Sequence, residues 1–248
     1  FYGIEINDFA VTVATTALWI SEAQMLAETE KIIRLDIDFL PLKAYHNIRE
    51  GNALRMDWDI IETPSDIPTI YAKNVHLVVE PMPMAVSEPI AEYNEVNVVT
   101  HRIDGEVNAG KRSYQVHFDY IIGNPPFVGA RMMSENQKQD VLDIFGVRYK
   151  NVGNMDYVCC WYKKAWQLIK GTSTQAALVS TNSICQGEQV ANLWKPMIED
   201  GLRINFAHRT FRWDSEASQK AHVHCVIVGF GNKSNTECHL YDNDKISK

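Results

Sequence analysis

Phe9, Val13, Ala17 and Ile20 recur at steps of three and four behind Asn7 and Asp8, and a short apolar run, "FYGIEI", stands before them. The pattern predicts a strand, then a crossover helix over "NDFAVTVATTALWISEAQMLAETEK", with Asn7 or Asp8 as its cap and those four residues on one face. "HNIREGNALRMDW" predicts a second strand ending near Gly51, and "FDYIIGNPPF" a third. A polar helix is expected around Glu135 to Phe145. In "MDYVCCWYKKAWQLIK", Val158, Trp161, Tyr162, Ala165, Leu168 and Ile169 form a helical core stripe that Gly171 stops. "AALVS" reads as the next strand. A helix then turns Val190, Leu193, Trp194 and Met197 inward and ends at Gly201. "RINFAHRTFRW" and "HVHCVIVGFG" close the pattern as two strands of a wide hairpin, separated by the polar stretch "DSEASQKA".

Strands that alternate with helices of this length imply an α/β fold: a mostly parallel sheet, helices on both faces and a terminal antiparallel hairpin. The stretch at about 59–117 breaks the pattern. Its strand-like runs "IYAKNVHLVVE" and "YNEVNVVTHRI" flank Pro81, Pro83 and Pro89, which suggests a β-rich insertion. Ligands of parallel sheets bind beyond the carboxyl ends of the strands. The residues there are Glu5, then Asn52 and Ala53, then Asn124 to Phe127, then Ser180 to Asn182.

Composition narrows the class. With 46% hydrophobic and 22% charged residues, the 248-residue chain has the make-up of a folded protein. Five cysteines without a CxxC spacing fit a reducing compartment, so a cytoplasmic location is expected. No apolar run is expected to reach the length that spans a bilayer, and no membrane partner is expected. His222 and His224 alternate with Cys225 across a β-branched run, which favours a plain strand over a metal site. A net charge of −7 argues against a chain that coats nucleic acid unaided. The chain opens on Phe1 without an initiator Met and is expected to be a piece of a longer protein.

"IIGNPPF" is the segment richest in chemistry. Pro125 and Pro126 have fixed φ and no N–H, so they end the strand and hold Asn124 extended. Asn124 then offers a side-chain carbonyl, Pro125 a backbone carbonyl and Phe127 a flat apolar face. Two acceptors and a ring suit a planar group with an exocyclic NH2, such as a flipped-out adenine.

These residues resemble motif IV of the S-adenosylmethionine-dependent amino-methyltransferases, (N/D/S)PP(Y/F/W). "FYGIEI" resembles their motif II, "GNALRMDW" their motif III, "AALVSTNSICQGEQV" the segment after their fifth strand, and "FAHRTFRWDSEASQKAHVHCVIVGF" their last two strands. The combination is most similar to the methyltransferase region of the MmeI-like restriction and modification fusion enzymes (types IIG and IIL), which methylate adenine N6 in DNA. It spans nearly the whole chain apart from 59–117, a stretch that departs from the short spacing of the relatives.

The resemblance implies a class I methyltransferase, Rossmann-like sheet in the order 3-2-1-4-5-7-6. It implies that Glu5 accepts hydrogen bonds from the cofactor ribose, that Ile6 packs on the cofactor adenine, that Asn52 bonds its edge and that Ala53 flanks its ring. Asn124 and Pro125 would bind the target amine, with Pro126 rigidifying the turn and Phe127 stacking on the base. Ser180 to Asn182 would either line the base pocket or cap the next helix. Arg131, Arg209 and Arg212 are candidates for DNA backbone contacts. The partner implied is double-stranded DNA with a flipped adenine, and no metal is needed. The family's glycine-rich motif I does not occur in the chain. It is expected upstream together with the first strand, and a target-recognition domain elsewhere in the parent. Without them the chain is expected to be inactive and its sheet to need another way to close. Two rival readings are a non-catalytic specificity module and an RNA or protein amide methyltransferase. A nicotinamide oxidoreductase would need a GxGxxG turn before Glu5, and there is none.

Overall fold

The computed structural model describes residues 2–33, 47–64, 111–146, 149, 151–213, 223–232, 237–242 and 245–247. The chain divides into two compact units, one of residues 1–59 with 117–248 and one of residues 60–116. In the smaller unit, β3 (Ile60–Pro64) pairs antiparallel with β4 (Lys111–Gln115). The strand-like runs expected between them lie outside the described residues.

The larger unit opens with β1 (Gly3–Glu5), α1 (Asp8–Ile33) and β2 (Ile48–Glu50), and β1 pairs parallel with β2. That is the expected strand, crossover helix and strand. Asn7 caps α1, its Oδ1 accepting from the Ala10 N–H at 3.0 Å. The apolar face is where the spacing puts it, but it is not covered: Phe9 is 74% exposed, and Val13 and Ile20 are exposed too.

Contrary to expectation, residues 8–32 are long and apolar enough to cross a membrane, by length and composition only. Scattered Thr and Ser residues disguise this in the sequence. In the helix, the hydroxyls of Thr12, Thr15, Thr16 and Ser21 donate to carbonyls four residues back, which mutes their polarity. The place of α1 between two parallel strands is that of a crossover helix.

The main sheet is built from β5 (Tyr120–Gly123), β6 (Gln175–Thr181), β7 (Arg203–Trp213), β8 (Val223–Gly231), β9 (His239–Asp242) and β10 (Lys245–Ser247), in the order β10-β9-β7-β8-β6-β5. β5 and β6 are parallel, and β8 runs antiparallel to both β6 and β7. The expected terminal hairpin is therefore present, with bulges in β7, and β8 lies between β6 and β7, which is the 4-5-7-6 part of the strand order that the resemblance implies. β9 and β10 extend the sheet beyond the expected strands. Gly229 is the point where β8 passes under the ring of Phe206, leaving no room for a Cβ.

α2 (Glu135–Phe145) and α3 (Cys159–Ile169) precede β6. Along α3, Cys159, Cys160, Tyr162, Ala165, Trp166 and Ile169 are buried, whereas Trp161 and Leu168 of the predicted stripe are only partly buried. Tyr162 stacks on Phe230 of β8 at 5.6 Å and meets Trp194 edge-on at 5.2 Å. After β6 come α4 (Gly187–Gln189), a π-helical turn at Val190–Trp194, and α5 (Lys195–Glu199). Leu193, Trp194 and Met197 are buried as expected, but Val190 is exposed. The wider π turn shifts the helical phase that the prediction assumed. The Tyr149 hydroxyl donates to the Asn192 carbonyl inside that turn.

Candidate functional site

β1 and β2 end side by side. Glu5 is in register with Glu50, and the Gly51 N–H donates to the Glu5 carbonyl at 2.9 Å. Gly51 has φ +151°, and a Cβ there would collide with Met56 Sδ, so this turn favours glycine. One carboxylate oxygen of Glu5 accepts from the N–H groups of Ile6 and Asn7, at 2.9 and 3.0 Å, which fixes the side chain at the start of α1. Its other oxygen has no partner among the described residues. Ile6 stands 71% exposed beside it. Asn52 caps a 3₁₀ turn at Ala53–Arg55, its Oδ1 accepting from the Leu54 N–H.

Asn124 follows β5 with its side chain exposed and unbonded among the described residues, Pro125 is buried, and Pro126 is exposed. Phe127 is partly buried. The prolines thus end the strand as predicted and leave the Asn124 amide on the rim.

A set of buried polar contacts, absent from the sequence reading, surrounds these loops. Asp140 on α2 is 2% exposed. Its carboxylate accepts from Asn52 Nδ2 (2.9 Å), Arg55 Nε (2.6 Å) and the Tyr157 hydroxyl (2.6 Å). Burial alone would raise its pKa, but the bonds from Tyr157, Arg55 and Asn52 together outweigh it and hold the carboxyl below the ordinary value. Burial and the bond to Asp140 push the Tyr157 phenol far up, so it stays a donor. The Tyr157 N–H donates to the Val128 carbonyl at 2.9 Å. Asp156 accepts from the Ala130 N–H at 3.1 Å and from the Ser183 hydroxyl at 2.6 Å. Lys164 of α3 donates to the carbonyls of Leu54 and Met56, at 2.9 and 2.7 Å, and lies over the Trp58 ring.

Ser180 is fully buried, with its hydroxyl 3.0 Å from that of Tyr162, so it belongs to the core. Asn182 begins a 3₁₀ turn that runs to Cys185. Arg131 is exposed in the turn after the proline pair, and Arg209 forms an ion pair with Asp242 at 3.4 Å. On β8, His224 is exposed while Cys225 is buried, as alternation requires, and His222 lies outside the described residues. Among the described residues no cluster of His, Cys, Asp or Glu could hold a metal ion.

Glu5, Asn52 and the Asn-Pro-Pro-Phe turn thus stand just after the ends of parallel strands in an α/β fold. The sequence profile of the MmeI DNA-methyltransferase domain matches residues 1–242, and the chain belongs to that family. It is 34% identical over 232 residues to DNA methyltransferase A of Bacillus subtilis (strain 168), covering 93% of this chain and 21% of that protein. The structure of the type IIL restriction-modification enzyme MmeI in complex with DNA superposes with a TM-score of 0.68 at 33% identity, covering 99% of this chain and 26% of that one. The chain therefore spans between a fifth and about a quarter of the length of these relatives.

Proposed function

We propose that the chain is the catalytic region of a restriction-modification enzyme that transfers a methyl group from S-adenosylmethionine to the N6 amine of a flipped adenine in double-stranded DNA. The observation that carries this reading is the Asn124 amide, exposed and unbonded among the described residues on a rim with a buried Pro125. When bound, S-adenosylmethionine supplies an electrophilic methyl on a sulfonium. Asn124 Oδ1 and the Pro125 carbonyl accept the two N–H bonds of the target amine. That favours a pyramidal nitrogen and fixes the direction of its lone pair. Phe127 stacks on the base and Pro126 stiffens the turn.

The cofactor side fits as well. The unbonded oxygen of Glu5 suits ribose hydroxyls, Ile6 presents open apolar surface, and Asn52 keeps one amide hydrogen for an adenine edge beside Ala53.

The chain alone is incomplete for this task. Among the described residues β1 pairs only with β2, β5 pairs only with β6, and Tyr120 and Ile122 on β5 are 72% and 83% exposed. One further strand with a glycine-rich loop, supplied from upstream, would pair with both free edges and hold the rest of the cofactor. A target-recognition domain elsewhere in the parent protein completes the DNA grip.

Calorimetry with S-adenosylmethionine tests the reading, comparing this chain with a form extended upstream through that loop. The extended form is expected to bind, and this chain is not. In the extended form, Asn124→Ala abolishes methylation with the melting temperature unchanged. Retained methylation in that variant overturns the assignment. Absence of binding in both forms favours a specificity module without catalysis.

A further inference from the structure

Two consecutive residues hold the loop after β5, and one of them, Tyr157, also reaches the loop after β2 through Asp140. The Tyr157 backbone N–H holds the Val128 carbonyl, one residue past Phe127, at 2.9 Å. The Tyr157 hydroxyl reaches the other way, to Asp140 Oδ2 at 2.6 Å, and the same oxygen accepts from Asn52 Nδ2 at 2.9 Å. Asp156, its neighbour, fastens the Ala130 N–H at 3.1 Å with one oxygen and the Ser183 hydroxyl at 2.6 Å with the other. Ser183 is itself 2.6 Å from the Thr181 hydroxyl at the end of β6. The Asp156 carbonyl accepts from the Cys159 N–H at the start of α3. The pair is thus anchored to the helix that forms the centre of the core.

We infer that Asp156 and Tyr157 are positioning residues that set the cofactor-side loop carrying Asn52 against the target-side loop carrying Asn124 to Phe127. The inference rests on the functional reading above. Neither side chain touches a reacting group. Each acts through another: Tyr157 through Asp140 on Asn52, and Asp156 through Ala130 and Ser183 on the wall behind Phe127. A methyl transfer needs its two partners held within a fraction of an ångström; Tyr157, just before α3, provides a short mechanical link between them, and its neighbour Asp156 ties the target-side loop to the turn after β6. A carboxylate that fastens two donors suits the target side, because its bonds are charge-assisted. A phenol that donates to a buried carboxylate suits the cofactor side.

The two residues are expected to fail differently. In the extended chain, Tyr157→Phe keeps the backbone bond to Val128 and removes only the bond to Asp140. It weakens S-adenosylmethionine binding about tenfold, the loss expected for one charge-assisted hydrogen bond, with KM for DNA within twofold of the parent. Asp156→Ala does the reverse, lowering kcat/KM for DNA about tenfold or more and leaving the cofactor Kd within twofold. Asp156→Asn restores most of that loss, because its amide oxygen can accept from Ala130 and its N–H can donate to Ser183 Oγ. A purely structural role predicts that both variants lower both constants in proportion to their melting temperatures, and that result overturns the inference.

Amide hydrogen exchange on the present chain provides a readout independent of activity. Tyr157→Phe is expected to speed exchange at Leu54, whose N–H is held by Asn52, and not at Ala130. Asp156→Ala is expected to speed Ala130 and not Leu54. Uniform acceleration at both sites overturns the inference. If the extended parent chain binds no cofactor, the functional reading fails, and the exchange pattern decides the link by itself.

Discussion

α1 and α3 are both helices of an α/β unit, each followed by a strand, yet one is the centre of the core and the other is at most partly buried among the described residues. Six of the eleven residues of α3 are buried, whereas no residue of α1 is among those whose burial is described, 8–32. Among the described residues, the fully buried core draws on Met133 to Phe230 and takes only Leu54 from the chain before it, with Trp58, Ile121, Val128 and Ala130 packed against it partly buried. The segment after β2 is tied to the core by polar bonds, from Asn52 and Arg55 to Asp140 and from Lys164 to the Leu54 and Met56 carbonyls, as well as by Leu54 and Trp58. Helix pattern alone does not stabilise; the surface that covers it does. α3 has that surface in β6, β8 and the π-helical turn, and α1 lacks it among the described residues.

The largest effect should come from the same substitution made in both helices. Ile169 of α3 is fully buried and Ile20 of α1 is 45% exposed. Ile169→Ala should lower the unfolding free energy by about 2–5 kcal/mol, the range for buried aliphatic truncation. Ile20→Ala should change it by less than about 0.5 kcal/mol, as exposed positions do. Urea unfolding monitored by tryptophan fluorescence measures both. Equal losses would mean that α1 is part of the cooperative core after all. In the upstream-extended chain, where the added strand would give α1 a sheet to rest on, Ile20→Ala is expected to become costly too.

The same contrast explains how much was legible from sequence. The α3 stripe was readable because Tyr162, Ala165 and Ile169 follow helical period into a real core, but Trp166, Cys159 and Cys160 widen it, since the helix is covered on more than one side. Val190 was misplaced because a π turn has no signature in periodicity. The Asn-Pro-Pro-Phe turn was legible because prolines punctuate locally. Asp140, Asp156 and Tyr157 were not, because a carboxylate on a polar helix looks the same whether it faces water or three donors from distant segments. Only the tertiary partner tells them apart, and no local spacing encodes a partner 88 residues away, as Asn52 is from Asp140.

Asp140 gives the next effect in size, at the joint between the two regions. Asp140→Asn removes the charge and turns an N–H toward groups that are themselves donors, so a loss of about 1–3 kcal/mol is expected at neutral pH. The acid dependence carries the sign. The folded-state pKa of Asp140 lies below its ordinary value, so its contribution is fully present above the unfolded pKa of about 3.9 and is lost as pH falls through the folded value. Parent and variant should therefore differ in urea midpoint at pH 7 and converge toward pH 2. A gap that stays constant with pH would show that the carboxylate's charge is not what holds the joint.

Helix caps give the smallest effect and sharpen the comparison furthest, because the chemistry is alike and only the region differs. Ser134 caps α2 in a reciprocal box: its Oγ accepts from the Gln137 N–H at 3.3 Å, and its own N–H donates to Gln137 Oε1 at 2.9 Å. Asn7 caps α1 through a single bond to the Ala10 N–H. α2 is tied to the core by Val141 and Phe145, so Ser134→Ala should lower global stability by about 1 kcal/mol. Asn7→Ala should leave the global midpoint in place and instead fray α1, seen as faster amide exchange in its first turn and a small loss of helical circular dichroism. If Asn7→Ala moves the global midpoint as far as Ser134→Ala does, the two regions unfold as one. The burial difference between α1 and α3 would then not mark a boundary in cooperativity.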